Sequence, residues 1–414
     1  MDLDLSTRRE RLLKHRSVIE EFGTPLYVFF EEDIRRNYRE LRSALDEYYP
    51  DSEIHFAAKA NFTVDVLSIL QDEGCGAEAF ANCELTATLE AGFDPEDILL
   101  TGMYRPQAEI ERAMDEGVTH FLLDNAAEFE RVAAAAENAE TRAQVLLRGN
   151  PAMEVPTDPD IATATRESKF GLDVESGRAM SVAERVVESE HLVLAGVQLH
   201  IGSQIEHAEP YAVAAQEMLE FAAAIRDKTG VEIDILDLGG GFPVPYDGSV
   251  PSTCEIVEDI GNAIRNKCQK LDFPIPTLFL EPGRRLVGNA GALCGSVGLV
   301  KETPASTFVI LDVGTNAVSS YWPYPIYSLA ESPTDETYDV AGPLCYTGDV
   351  IQKAVSLPVV QQGDVIVVDR IGAYSLGSAS NTNAEPKPPV VIVNEDGTTD
   401  IARERETCND VLDI

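Results

Sequence analysis

Short apolar runs, often β-branched, alternate with longer stretches whose apolar residues recur at helical spacing, and this rhythm runs through most of the chain. Ahead of it, residues 7–22 are charged, with Leu12, Leu13, Val18 and Ile19 on a helical period, which predicts a helix. Gly23, Thr24 and Pro25 stop it; 26–30 then reads as a short strand and 32–48 as a helix. The strand candidates that follow are 54–58, 76–79, 98–101, 120–123, 144–148, 195–199, 234–238 and 277–280. Helices are predicted between most of them, at about 62–73, 83–91, 107–116, 125–138, 174–188, 208–229 and 254–271. Eight strand-then-helix units predict an α/β fold built on a (β/α)8 TIM-type barrel, with a doubly wound open sheet as the structural alternative.

After residue 285 the helical period fades. Valine-rich runs at 307–312, 365–369 and 390–393 are separated by turn residues such as those at 394–397. The expected organisation is an N-terminal segment, 1–30, that joins the β domain, a barrel over 31–284, and an all-β C-terminal domain over 285–414.

Composition changes this picture mainly through charge. The 71 acidic and 32 basic residues give a net charge of −39, spread along the chain. Such a surface repels nucleic acid and anionic membranes. Dispersed acid with few lysines also fits a halophilic cytoplasm, where salt screens the self-repulsion; the plainer reading is an acidic enzyme from ordinary salt. The seven cysteines are odd in number and contain no CxxC pair, so a reduced interior without a metal site is expected. Residues 1–6 lack the basic and apolar regions of a signal peptide. No uncharged apolar run approaches the roughly 18 residues of a membrane span.

The candidate chemistry clusters after the strands. Lys59 follows the first, at the end of the apolar run 54–58, in a chain with 9 lysines against 23 arginines. Desolvation would lower its pKa, and a free amine forms a Schiff base with an aldehyde; alone, it reads as a lysine reaching from a strand end into water. Arg148 ends strand five, His200 follows strand six, Gly239, Gly240 and Gly241 follow strand seven, and Glu281 follows strand eight, close to Arg284. In a barrel all of these fall on the C-terminal face, where such folds place active sites. Taken singly, the histidine reads as packed, the glycines as a tight turn and the carboxylate as a surface ion pair. Together they supply an amine nucleophile, a ring-stacking group, a phosphate cradle and a carboxylate aimed at a pyridine nitrogen, which is the set that pyridoxal phosphate needs.

These stretches resemble the alanine-racemase-fold amino-acid decarboxylases, and most closely the diaminopimelate decarboxylases. The likeness runs in order through Phe56 to Asn61, Ser168 to Gly171, His200 to Gln204, Gly239 to Phe242 and Glu281 to Arg284. It continues through Gly342 to Cys345 with Gly348 and Asp349, Gly372 to Tyr374, and Ala379 to Asn381. The resemblance implies that Lys59 carries the cofactor and that His200 stacks on its ring. Ser203, Gly239 to Gly241 and Tyr374 would hold the phosphate, and Glu281 would pair with the ring nitrogen. Arg284 would bind phosphate or a substrate carboxylate. Cys345 would enter from the second subunit of a homodimer with shared active sites and return a proton after CO2 departs. The implied reaction is meso-2,6-diaminopimelate to L-lysine and CO2, in the cytoplasm.

Two departures bear on the substrate. The residue after the cysteine is usually Glu in that family; here it is Tyr346. The arginine expected after the 312–316 stretch is absent; Ser320 stands at its place and Tyr324 at that of a following tyrosine. Each loses a charge-assisted bond of about 1.5–3 kcal/mol to a zwitterionic tail, with Arg284, Arg105 and Lys353 as the cations available to compensate. The same chemistry on carboxynorspermidine, another diamino acid, or a carrier- or citrate-linked amino acid is therefore a second expectation. An amino-acid racemase and a non-catalytic cofactor-holding protein are further alternatives, and the Cys345 motif and the second domain argue against both.

Overall fold

The computed structural model describes residues 5–154 and 157–413; the N-terminal residues 1–4, on which part of the signal-peptide reading rests, lie outside them. The chain divides into two compact units, one of residues 35–243 and 250–285, the other of 1–34, 244–249 and 286–414.

In the first unit, eight parallel strands close on themselves. They are Ser52–Ala57, Gly76–Ala79, Ile98–Leu100, His120–Leu123, Ala143–Asn150, Leu192–Gln198, Ile235–Asp237 and Thr277–Leu280, numbered one to eight below. Strand one pairs with strand eight and with strand two, and strands four and five complete the ring. The expected TIM-type barrel is thus the fold, and the open sheet is excluded by that closure. Leu99, Leu122, Leu146, Ala195, Ile235 and Phe279 form one buried cluster contributed by six of the strands. The helices follow the predicted amphipathic stretches within a few residues. Thr253–Leu271 shows why: Ile256, Val257, Ile260, Ile264 and Cys268 make one buried stripe, and the Ser252 hydroxyl caps the helix by accepting from the Glu255 amide at 3.2 Å.

The second unit is a mixed nine-stranded sheet. Leu26–Phe30, buried at every position, lies between Gly291–Glu302, antiparallel, and Val390–Val393, parallel. Further strands extend the sheet on both sides, including Thr307–Leu311, Asp335–Ala341, Val350–Pro358 and Thr399–Arg403. The helix expected over 7–22 is two, Leu5–Lys14 and Arg16–Phe22, broken at His15. The break lets Leu12, Val18 and Ile19 all enter the core beneath Leu26, Val28 and Phe30. Arg8, 2% exposed, donates to both carboxylate oxygens of the fully buried Asp369. The segment 244–249, expected within the barrel, groups with this unit; Tyr246 stacks on Trp322 at 5.3 Å and meets Tyr324 edge-on at 5.4 Å.

Candidate active site

Every strand-end residue singled out in the barrel arrives on the same face. Lys59 sits in the single helical turn Ala58–Ala60 that ends strand one. Its ammonium is ion-paired with Glu78 of strand two, whose side chain is 2% exposed. Thr101, at the end of strand three, donates its hydroxyl to the other Glu78 oxygen. The expectation of a desolvated lysine is therefore corrected: its side chain is about one third exposed and faces a buried carboxylate.

Arg148 is held from two sides. Its guanidinium lies 3.5 Å from Asp124 at the end of strand four and 4.5 Å over the Phe170 ring. Asp124 also accepts from the Gly171 amide at 3.0 Å, which ties the 168–171 stretch to the strand ends. Burial pushes the Asp124 carboxyl up, and Arg148 opposes the shift.

His200 is held neutral. Burial pushes its pKa well below the ordinary value, and the positive charges of Arg148 and Lys59 push the same way. Its Nδ1 accepts from the Gly240 amide at 3.1 Å, which assigns the ring hydrogen to Nε2.

The glycine turn is shaped by contacts that leave no room for side chains. A Cβ on Gly240 would stand 2.4 Å from the Glu281 carbonyl oxygen, and one on Gly241, at φ 98°, would stand 2.7 Å from the Gly202 oxygen. Two of the three amides are engaged inside the protein: Gly239 donates to Asp237 at 2.8 Å and Gly240 to His200. The amide of Gly241 takes part in neither bond. Ser203 and Arg284 lie at this turn's edge, joined by a 3.1 Å bond from the guanidinium to the hydroxyl.

Glu281 is buried and accepts from the Gln198 side chain at 3.1 Å. Burial and the neighbouring Glu281 push Asp237 well above the carboxylate range; Glu281 is raised by burial and by Glu78, with Lys59 opposing. Two buried carboxyls side by side favour holding a shared proton over carrying two negative charges.

The remaining candidates belong to the other unit. Cys345 is exposed, and its sulfur accepts from Asn383 at 2.8 Å. Tyr346 is 49% exposed, with its hydroxyl bonded to that of Thr315. Ser320 is exposed, whereas Tyr324 is buried in the Tyr246–Trp322 cluster. Tyr374 adopts the left-handed conformation, φ 65°, just before the short helix Ser375–Ser378. For a non-glycine residue this is a strained backbone of the kind that marks functional sites.

Sequence reasoning missed Glu78, Thr101, Asp124, Gln198 and Asp237. A usable signal was present for two of them. Glu78 stands between Ala77 and Ala79, and Asp237 between Leu236 and Leu238. A carboxylate inside a buried strand is costly unless something charged meets it. Among the described residues no cluster of three or more His, Cys, Asp or Glu is placed to hold a metal. No helix there is long and apolar enough to cross a membrane.

The arrangement offers an amine, a neutral flat ring, a glycine cradle with a cation, and a raised carboxyl pair. Comparison with known proteins identifies what uses such a set. The family model described as "Pyridoxal-dependent decarboxylase, pyridoxal binding domain" matches residues 31–288. The diaminopimelate decarboxylase of Methanocaldococcus jannaschii is 32% identical, with 95% of this chain and 91% of that protein covered. The diaminopimelate decarboxylase of Pseudomonas aeruginosa is 34% identical, covering 95% and 93%. The crystal structure of the M. jannaschii enzyme in complex with L-lysine superposes with a TM-score of 0.90, covering 96% of this chain and 93% of that one. The Helicobacter pylori diaminopimelate decarboxylase with L-lysine, 27% identical, gives 0.88 over 96% and 98%. By this match and by the residues at its barrel mouth, the chain belongs to the pyridoxal-dependent decarboxylases.

Proposed function

We propose that the protein is a pyridoxal-phosphate-dependent carboxy-lyase that converts meso-2,6-diaminopimelate to L-lysine and CO2. One observation carries this reading: the lysine, histidine, glycine turn and carboxyl pair converge on one barrel face in a chain similar to diaminopimelate decarboxylases along nearly its whole length.

The residues fit the cofactor. Pyridoxal phosphate carries an aldehyde, a ring nitrogen and a phosphate. Lys59 offers the amine for the first, and the Glu281–Asp237 pair a raised carboxyl group for the second. For the third there is a turn where side chains cannot fit, with Ser203 and Arg284 beside it. Tyr374 is assigned to the phosphate as well. When bound, the cofactor supplies a conjugated electron sink for the bond that breaks to CO2.

The protein's own groups manage protons and orientation. Glu78 receives the Lys59 ammonium whenever that amine is free, and Thr101 fixes the receiving carboxylate. His200, neutral and locked by the Gly240 amide, presents an uncharged face to a ring. Glu281 would pair with the ring nitrogen and hold its proton there, with the Asp237 carboxyl as its neighbour. Arg148, anchored by Asp124, belongs to the cofactor-binding set. Arg284 meets phosphate or a substrate carboxylate. Cys345, reaching a partner subunit's site in a homodimer, returns a proton to the α-carbon.

The shared site has a direct test. Lys59→Ala and Cys345→Ala proteins, each inactive alone, should recover part of the wild-type activity once their subunits exchange. Persistent inactivity, with exchange demonstrated by a tagged subunit, argues for sites complete within one chain.

The surface of dispersed acid supports work at high salt in the cytoplasm, so substrate is best assayed in molar salt. CO2 release from meso-diaminopimelate, with little from lysine or ornithine, is the expected result. A second reading, the same chemistry on another amino acid, is favoured by the exposed Tyr346 and by Ser320, because no arginine lies in 317–324. Release from carboxynorspermidine or a citrate-linked amino acid, and none from diaminopimelate, would establish it instead.

A further inference from the structure

The buried hydroxyl of Tyr211 is used by none of the functions assigned above. Tyr211 lies in the first turn of the helix Glu209–Thr229 and is 1% exposed. Its ring packs at 5.1 Å on Phe242, the residue that follows the glycine turn. Among the described residues its oxygen has no hydrogen-bond partner. Burial alone pushes the phenol up, so it stays a neutral O–H donor. A buried hydroxyl without a partner is costly, and a phenylalanine of the same shape would avoid that cost. The position of this oxygen gives the reason to keep it. It lies 3.4 Å from where a Cβ on Gly241 would stand, on the side of the turn lined by the Gly202 carbonyl. Gly241 supplies the one amide of the three that is committed to neither Asp237 nor His200, and Gly202 precedes Ser203, which Arg284 engages.

We propose that Tyr211 is a cofactor-positioning residue, its phenol O–H donating to the phosphate group at the Gly241 end of the cradle, directly or through one bound water. The hydroxyl is then satisfied only when the cofactor is in place. This inference rests on the reading that the glycine turn holds the phosphate.

Two properties should move in opposite directions in Tyr211→Phe. The cofactor-free protein should be at least as stable as wild type, because the unpartnered hydroxyl is gone and the ring packing on Phe242 remains. Its affinity for added pyridoxal phosphate should fall about tenfold, equivalent to about 1.4 kcal/mol. The 31P resonance of the bound phosphate should also shift. Wild-type affinity together with an unshifted 31P signal overturns the role of Tyr211. Gly240→Ala, measured alongside, separates the two layers of the argument. If it binds pyridoxal phosphate as wild type does, the cradle itself is misassigned. If it binds weakly while Tyr211→Phe binds normally, only the inference about Tyr211 falls.

Discussion

Lys59→Arg is expected to lower decarboxylation about 10,000-fold or more and to remove the visible absorbance of lysine-bound cofactor, while leaving the fold intact. The choice of arginine matters. Glu78 is buried and answers the Lys59 charge, so Lys59→Ala removes a nucleophile and also leaves a buried carboxylate without its cation. Arginine keeps a cation for Glu78 but has no amine that condenses with an aldehyde. Equal activity losses in both variants, with loss of thermal stability confined to Lys59→Ala, would separate covalent chemistry from charge balance. Activity in Lys59→Arg within tenfold of wild type would remove Lys59 from its assigned role.

Gly240→Ala should weaken pyridoxal phosphate binding about a hundredfold, or about 2.7 kcal/mol. The added Cβ meets the Glu281 carbonyl oxygen at 2.4 Å, and both atoms belong to constrained backbone. That contact can be relieved only by moving the turn or the end of strand eight. Overpacking of this kind costs about 1–3 kcal/mol, and here the displaced groups are the ones assigned to ring and phosphate. The Gly239 carbonyl accepts from the Glu281 amide at 2.7 Å, and the Gly240 amide orients His200. The substitution therefore disturbs three assigned groups through one backbone shift. Equilibrium dialysis against the cofactor measures the effect, and affinity equal to that of wild type would mean that the turn does not contact it.

The barrel could be read from the chain because its strands are buried on both faces. Runs such as 120–123 and 277–280 are almost wholly apolar, and amphipathic helices separate them. The second unit was harder to read. Gly291–Glu302 carries Gly291, Gly295 and Gly298 within one long strand, so it has no clean period. Asp335–Ala341 and Val350–Pro358 expose part of their length and carry polar residues there, which masks them as strands. The candidate site divides in the same way. Lys59, His200, the glycine turn and Glu281 were accessible because each follows an apolar run. Their supports are less legible: Glu78 and Asp237 stand out only as carboxylates inside apolar strands, and their roles, like that of Asp124, come from what faces them across neighbouring strands. Tyr211 is harder still: at its position the pattern asks only for an aromatic, and the hydroxyl matters only through its distance from Gly241.

The placement of Leu26–Phe30 between Gly291–Glu302 and Val390–Val393 carries a consequence for biosynthesis. These five buried residues leave the ribosome long before their parallel neighbour, which emerges some 360 residues later. At about 5–20 residues per second the wait is roughly 20–70 s. For most of that interval, until Gly291–Glu302 follows, the stretch is an apolar strand with neither flank paired, open to capture by other nascent chains. The sequences around it bring charge to that interval: Arg8, Arg9, Arg11 and Arg16 on one side, and Glu31, Glu32 and Asp33 on the other. Charged residues flanking an unavoidable hydrophobic strand act as gatekeepers against aggregation. Expression yield, more than catalytic rate, is where neutralising them would be felt.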